Sequence, residues 1–223
     1  MKESTQSHRR VGVWSAVTMV MIGVAYIIVG AIGVMARSPS PDPLHEDDPY
    51  LAILEFLIVL SAVALVSMMA AVYGYSPPST KTYSLVSLAF MVVLAVLTSS
   101  VHFASLTVGR QIESGAMPQL YRQLSFEQWP SVALALDFLA WDFFLGLSLL
   151  SAAAVFKGDR LHTNIRITMI VAGSLCIAGT LGPLLGQLRI ALLATVGYAF
   201  VLPVICVLLA ILFARPEVTP VAE

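Results

Sequence analysis

The sequence predicts an all-α polytopic membrane helix bundle with about six transmembrane helices and both termini in the cytoplasm. Composition is the first reason: 58% of the 223 residues are hydrophobic and 11% are charged, whereas soluble domains carry about 25% charged residues. Length is the second, because this apolar content is enough for about six segments of roughly 20 residues each. The third is the lack of the alternating apolar and polar residues that a membrane β-barrel requires.

Six apolar stretches supply the predicted helices, at residues 11–35, 50–73, 83–108, 131–156, 165–185 and 188–213. Each is long enough to cross a hydrocarbon core of about 30 Å. The first stretch follows two arginines, as a signal peptide would, but it is much longer than the usual apolar region of about 7–15 residues. We therefore interpret it as a retained helix. The whole chain, 1–223, is predicted to be a single integral membrane domain.

Residues 109–130 form the longest connection between predicted helices. They mix apolar side chains such as Leu120 and Tyr121 with charged ones and end near Trp129. This mixture is typical of a segment at the membrane interface, where tryptophan is enriched. The sequence predicts an outer interfacial segment here, formed by a short helix or by a plain loop.

The distribution of basic residues predicts the orientation. With the N-terminus inside, eight Lys and Arg residues fall on the cytoplasmic side and four fall outside. Positively charged residues are enriched in cytoplasmic loops. The protein is therefore predicted to lie in the cell (cytoplasmic) membrane with its N-terminus and C-terminus inside, and the lipid bilayer is its first predicted partner.

Composition and motifs argue against several functions. A net charge of −1 offers no basic field for nucleic acid. Cys176 and Cys206 lie in apolar stretches without a CxxC spacing, which indicates core residues. The chain has no HExxH spacing, no phosphate-binding glycine loop, no GxSxG elbow and no second intramembrane histidine for haem. The sequence predicts no metal and no cofactor.

Four ionisable residues lie within the apolar stretches: Glu55, His102, Asp137 and Asp142. A charged side chain at the centre of a membrane helix costs about 2.5–3.5 kcal/mol on insertion scales, so each is a candidate functional residue. At 1.5 Å per residue, Glu55, His102 and Asp137 all fall about 8–9 Å below the outer surface, and Asp142 about 17 Å. This depth favours a protonated carboxyl as one interpretation of Asp142.

Helical periodicity places these residues on polar faces. Thr98 and His102 share a face of the third stretch, and Asp137 and Trp141 share a face of the fourth. Tyr26 lies in the outer half of the first stretch. We predict that the polar faces line a cavity that opens outward, with Glu55, His102, Asp137, Trp141, Asp142 and Tyr26 as its ligand-binding residues.

The fifth stretch contains Gly182 and Gly186 in a GxxxG spacing, with Pro183 between them. Small residues at this spacing allow helices to approach closely. Close packing against the sixth stretch is the favoured interpretation, and a homo-oligomer through Gly182 and Gly186 is the alternative.

Three hypotheses about function remain. In the first, the protein binds or passes a lipophilic or protonatable small molecule in the polar cavity. In the second, it is a membrane-embedded enzyme that uses a His–Asp pair on a lipid substrate. In the third, it is a structural or accessory membrane subunit whose polar residues pair with one another. The sequence names neither a substrate nor a catalytic residue.

Overall fold

The computed structural model describes residues 2–36, 49–112, 117–126 and 129–215. In these ranges the chain forms seven helices and no β-strand: α1 Lys2–Ala36, α2 Pro49–Tyr75, α3 Lys81–Ala104, α4 Pro118–Leu124, α5 Val132–Ala153, α6 Arg160–Leu184 and α7 Leu188–Ala214. A 3₁₀ turn at Pro78–Thr80 precedes α3. Wider π turns follow α3 at Ser105–Gly109 and lie within α5 at Leu139–Phe144 and within α7 at Val196–Val201.

Six of these helices, all except α4, are long and apolar enough to cross a membrane. The predicted polytopic helix bundle is therefore confirmed. Helices suit this environment because every backbone polar group is paired within its own segment. The first helix starts well before residue 11, since the polar N-terminal residues continue it. The short helix α4 lies within the predicted interfacial segment, of which residues 113–116, 127 and 128 are outside the described residues.

The six long helices form a closed ring in chain order. Each contacts the next along the chain, and α7 returns to pack against α1. Adjacent helices therefore run in opposite directions, as in other up-and-down bundles. One end of the bundle holds the start of α2 and the end of α3; we call it the Glu55 end. The other holds the end of α2 and the start of α6; we call it the His162 end.

The interior is filled with aliphatic and sulfur-containing side chains, whereas many large apolar residues face outward. Fully buried residues include Leu65, Met68, Met91, Leu149 and Ile205. Both cysteines are free and buried, and Cys206 Sγ lies 3.9 Å from Met68 Sδ. Exposed apolar side chains occur on several helices: Trp14, Ile27, Phe56, Val63, Phe103 and Phe200. Such a surface is suited to lipid.

Glycines bring α6 and α7 together. A Cβ atom added to Gly182 would lie 2.6 Å from the backbone nitrogen of Ala191, and one added to Gly179 would collide with Ala194. The predicted close packing of these helices is therefore present, and it uses the Gly182 face within one chain. Gly186 has φ +66°, with open space around it, and forms the left-handed turn between the helices. The homo-oligomer stays a prediction.

A polar cluster joins three segments at the His162 end; we call its members, Tyr75, Asp159, His162 and Arg215, the His162 cluster. His162 Nε2 lies 2.6 Å from the Tyr75 hydroxyl, and Nδ1 lies 2.6 Å from Asp159 Oδ1. Asp159 Oδ2 accepts from Arg215 Nη1 at 2.6 Å. No sequence pattern indicates this cluster, because polar residues near the ends of membrane helices are common.

Asp159 has two roles in this cluster. Its carboxylate accepts the backbone N–H of His162 at 3.0 Å and so caps α6. This bond, followed by those to the His162 ring and to Arg215, holds the pKa of the Asp159 carboxyl well below its usual range. The cluster thereby links the end of α2, the start of α6 and the residue that follows α7.

Candidate functional site

His102 lies between two carboxylates that come from different helices. Its Nδ1 atom is 2.7 Å from Glu55 Oε2 on α2, and its Nε2 atom is 3.3 Å from Asp137 Oδ1 on α5. Glu55 and His102 are buried, whereas the Asp137 side chain is 23% exposed. We call these three residues the His102 cluster. Three of the sequence-predicted site residues are thus in direct contact.

Hydrogen-bonding rules limit the charge of the His102 cluster. Ionised carboxylates only accept hydrogen bonds, so two bonds to one imidazole require at least two protons among the three groups. With two protons, both can be on His102, or one can be on a carboxyl. In either of these arrangements the cluster carries one net negative charge. Such a charge at this depth is costly unless a positive charge accompanies it.

Thr98 and Trp141 extend the cluster along α3 and α5. The indole N–H of Trp141, which can only donate, contacts Thr98 Oγ1 at 2.7 Å. Thr98 in turn donates to Asp137 Oδ1 at 3.1 Å. The two predicted polar faces meet here because α3 and α5 are adjacent antiparallel helices. Thr98 belongs to the predicted polar face of α3 but is not one of the predicted ligand-binding residues.

Phe126 covers one face of His102. Its ring stacks on the imidazole with the centroids 4.5 Å apart and an angle of 5° between the planes. Phe126 follows α4, and Ser131 fastens this segment to α5 by donating to the Ser125 carbonyl at 2.7 Å. No pattern in the sequence indicated this contact, since an apolar residue in a connection has no periodicity from which to infer a partner.

Two of the other predicted residues lie around the His102 cluster rather than in it. Tyr26 on α1 lies within electrostatic range of both Glu55 and Asp137. Tyr26 is 40% exposed, and none of its described contacts is a hydrogen bond to either carboxylate. Trp141 contacts the cluster through Thr98, and its ring packs against Tyr198 of α7 with the centroids 5.6 Å apart.

Asp142 is separate from the His102 cluster. It lies in the π turn of α5 and is 1% exposed. Its Oδ2 atom has no hydrogen-bond partner among the described residues. Asp137, Cys176 and Tyr198 are within its electrostatic range. Among the described residues, Glu55 and Asp142 are thus buried acids of different kinds: Glu55 is paired with His102, whereas Asp142 has an oxygen, Oδ2, without a hydrogen-bond partner.

The geometry of the His102 cluster does not suit a shared metal ion. Glu55 and Asp137 contact opposite edges of the imidazole, so both ring nitrogens are already occupied by carboxylates. Metal ligands must instead point their lone pairs at one centre. Within the described ranges, no three His, Cys, Asp or Glu side chains are placed to hold a metal ion.

The fold and the site together define a class: a multi-pass membrane helix bundle with ionisable residues buried among its helices. Comparison with family models, with curated proteins and with solved structures finds no match for this chain.

Proposed function

We propose that this protein binds or passes a lipophilic cation, such as a hydrophobic amine, at the His102 cluster. The observation that carries the proposal is the pairing of two carboxylates with one imidazole. A bound cation would neutralise the remaining negative charge of the cluster. The polar cavity that the sequence predicts in the outer half of the bundle is part of this proposal.

Asp137 is the carboxylate best placed to meet the ligand. Both of its described hydrogen bonds go to Oδ1, and its side chain is the more exposed of the two acids. Aromatic rings around the cluster support the same ligand class, because a cation is attracted to the face of an aromatic ring. Phe126, Trp141 and Tyr26 supply such rings.

The test uses two probes of the same shape and opposite charge. Tetraphenylphosphonium and tetraphenylborate are titrated into the purified protein in nanodiscs of zwitterionic lipid. We expect the protein to bind the cation and to discriminate against the anion. Asp137→Asn keeps the size of the side chain and its acceptor for Thr98, and we expect it to weaken cation binding about tenfold or more, or about 1.4 kcal/mol. Asp159→Asn, at the other end of the bundle, is the matched control.

A structural role is the second candidate, because the three residues of the His102 cluster satisfy one another. In that case Asp137→Asn lowers the thermal stability, and the two probes bind equally weakly to both proteins. The enzyme hypothesis has less support. A general base needs a free ring nitrogen near the substrate, whereas both nitrogens of His102 face carboxylates.

A further inference from the structure

We propose that Asp142 is a proton-binding site coupled to the His102 cluster, so that binding of a lipophilic cation there releases a proton from Asp142. This inference rests on the proposed function and adds an exchange of charge to it. One positive charge enters at the cluster, and one leaves as a proton that passes from the Asp142 carboxyl to the solvent buffer.

The environment of Asp142 favours a protonated carboxyl. The side chain is 1% exposed, and Oδ2 has no partner among the described residues. An ionised carboxylate in such a place would be uncompensated, and burying an unpaired charge is among the costliest changes in a protein interior. A proton on the carboxyl removes this cost. Asp142 thus holds a proton while nothing nearby supplies a positive charge.

The position of Asp142 relative to Asp137 allows the charge on one acid to affect the other. In a regular α-helix, residues five apart diverge by about 140°, but a π turn has i to i+5 hydrogen bonds and brings such residues closer to one face. The π turn Leu139–Phe144 begins two residues after Asp137 and contains Asp142, and the two acids are within electrostatic range of each other. A negative charge on Asp137 therefore opposes a second one on Asp142. A cation bound at Asp137 removes that opposition.

Hydrogen bonds through Trp141 and Thr98 also connect the segment that carries Asp142 with Asp137. Trp141, next to Asp142 in the chain, donates to Thr98, which donates to Asp137. Its ring also packs on Tyr198, in the π turn of α7. A ligand that shifts Asp137 or Trp141 thus acts on the helix segment that carries Asp142. Two π turns meet here, and such turns are frequent at functional sites.

Among the ionisable groups that interact electrostatically with one another here, Asp142 is the candidate for proton release. Asp137 lies on its own helix, Cys176 on α6 and Tyr198 on α7. Tyr198 is engaged with Thr195, 3.1 Å away. No Lys or Arg is among these groups. By reciprocity, a cation that promotes release of the proton must itself bind more tightly once the proton has left.

The test counts protons released when tetraphenylphosphonium binds. This probe has no titratable proton, so any acidification reported by a pH dye in weakly buffered nanodiscs comes from the protein. We expect the wild type to release up to about one proton per probe bound and to bind more tightly as pH rises. Asp142→Asn resembles the protonated carboxyl in size and charge, and we expect it to bind the probe without proton release and with pH-independent affinity. Asp159→Asn should behave as the wild type.

The outcomes separate this inference from the proposed function. Binding without proton release in the wild type, or unchanged release in Asp142→Asn, overturns the coupling and leaves the cation site standing. No binding of the probe to the wild type overturns the proposed function, and the coupling with it. If Asp142→Asn does not fold, the wild-type affinity measured across pH still decides, because a flat profile contradicts the coupling.

Discussion

The Nδ1 atom of His102 lies 2.7 Å from Oε2 of Glu55, although the two residues are 47 positions apart in the chain. This contact joins α2 to α3, and the longer contact with Asp137 joins α3 to α5. A single imidazole thus holds three helices together at the Glu55 end. Its loss would leave two acidic side chains facing each other.

Replacement of that imidazole gives the first prediction. We expect His102→Ala to destabilise the protein by about 3 kcal/mol, because removing one partner of a buried ion pair leaves uncompensated charge. Adding Glu55→Gln should restore part of the loss, since it removes one of the charges that the missing imidazole leaves uncompensated. Thermal unfolding in detergent measures both. If the two changes are simply additive, Glu55 and His102 are not energetically coupled.

The second prediction concerns the hydrogen bonds of Thr98. Thr98→Val keeps the shape of the side chain but removes the group that links Trp141 to Asp137. We expect a loss of about 1–3 kcal/mol, because the buried partners are left unsatisfied. Thr107→Val is the matched control: the described hydrogen bond of the Thr107 hydroxyl goes to the carbonyl of Phe103, and Thr107 is partly exposed. Equal Tm values for the two variants would show that the Thr98 bonds do not matter for stability.

Glycine packing gives the third prediction. Gly182→Ala would place a Cβ atom 2.6 Å from the backbone of Ala191, so that α6 and α7 must separate. We expect a clear fall in Tm. Gly23 on α1 has nothing within 4 Å of an added Cβ, and Gly23→Ala should be neutral or stabilising by up to about 1 kcal/mol, since alanine favours the helix. If Gly23→Ala lowered Tm more than Gly182→Ala, the result would mean that α6 and α7 are not packed closely.

The fourth prediction concerns pH and the His162 cluster. Because the folded-state pKa of Asp159 is lowered, its contribution to stability is present above its unfolded-state pKa of about 3.9 and is lost as pH falls through the folded-state value. We therefore expect Asp159→Asn to have a lower Tm than the wild type at neutral pH. Asparagine is also a good N-cap, so the variant isolates the charge.

Two measurements check this effect of Asp159. The difference in Tm between the proteins should shrink below about pH 4. It should also shrink in high salt, because the Asp159 and Arg215 side chains are about half exposed and exposed charges are screened. If the difference in Tm stayed constant across the pH series and the salt series, the destabilisation by Asp159→Asn would be due to packing rather than to charge.

The orientation in the membrane is the fifth prediction. The distribution of positively charged residues predicts that the His162 end lies in the cytoplasm and the Glu55 end outside. Both native cysteines are buried, so cysteines introduced at exposed Ser79 and Gln119 can be labelled selectively. With a membrane-impermeant maleimide on intact cells, we expect Gln119→Cys to react and Ser79→Cys to react only after lysis. The reverse pattern would invert the topology.

Local patterns in the sequence are enough to identify the segments that span the membrane and the residues that are unusual within them. Hydropathy and helical periodicity are local properties, so helix bounds and polar faces follow from adjacent residues. The depth estimates also depend only on distance along one helix. For this reason the sequence alone predicts that Glu55, His102 and Asp137 lie at one depth in the membrane.

The tertiary structure shows which of these residues are partners. It places His102 between Glu55 and Asp137, brings Phe126 onto the imidazole, and leaves Asp142 apart from all of them. These contacts depend on which helices are neighbours and on how each is rotated, and the π turn in α5 changes that rotation within a single helix. The same reason explains the His162 cluster, whose members come from segments far apart in the chain and meet only when the ring of helices closes.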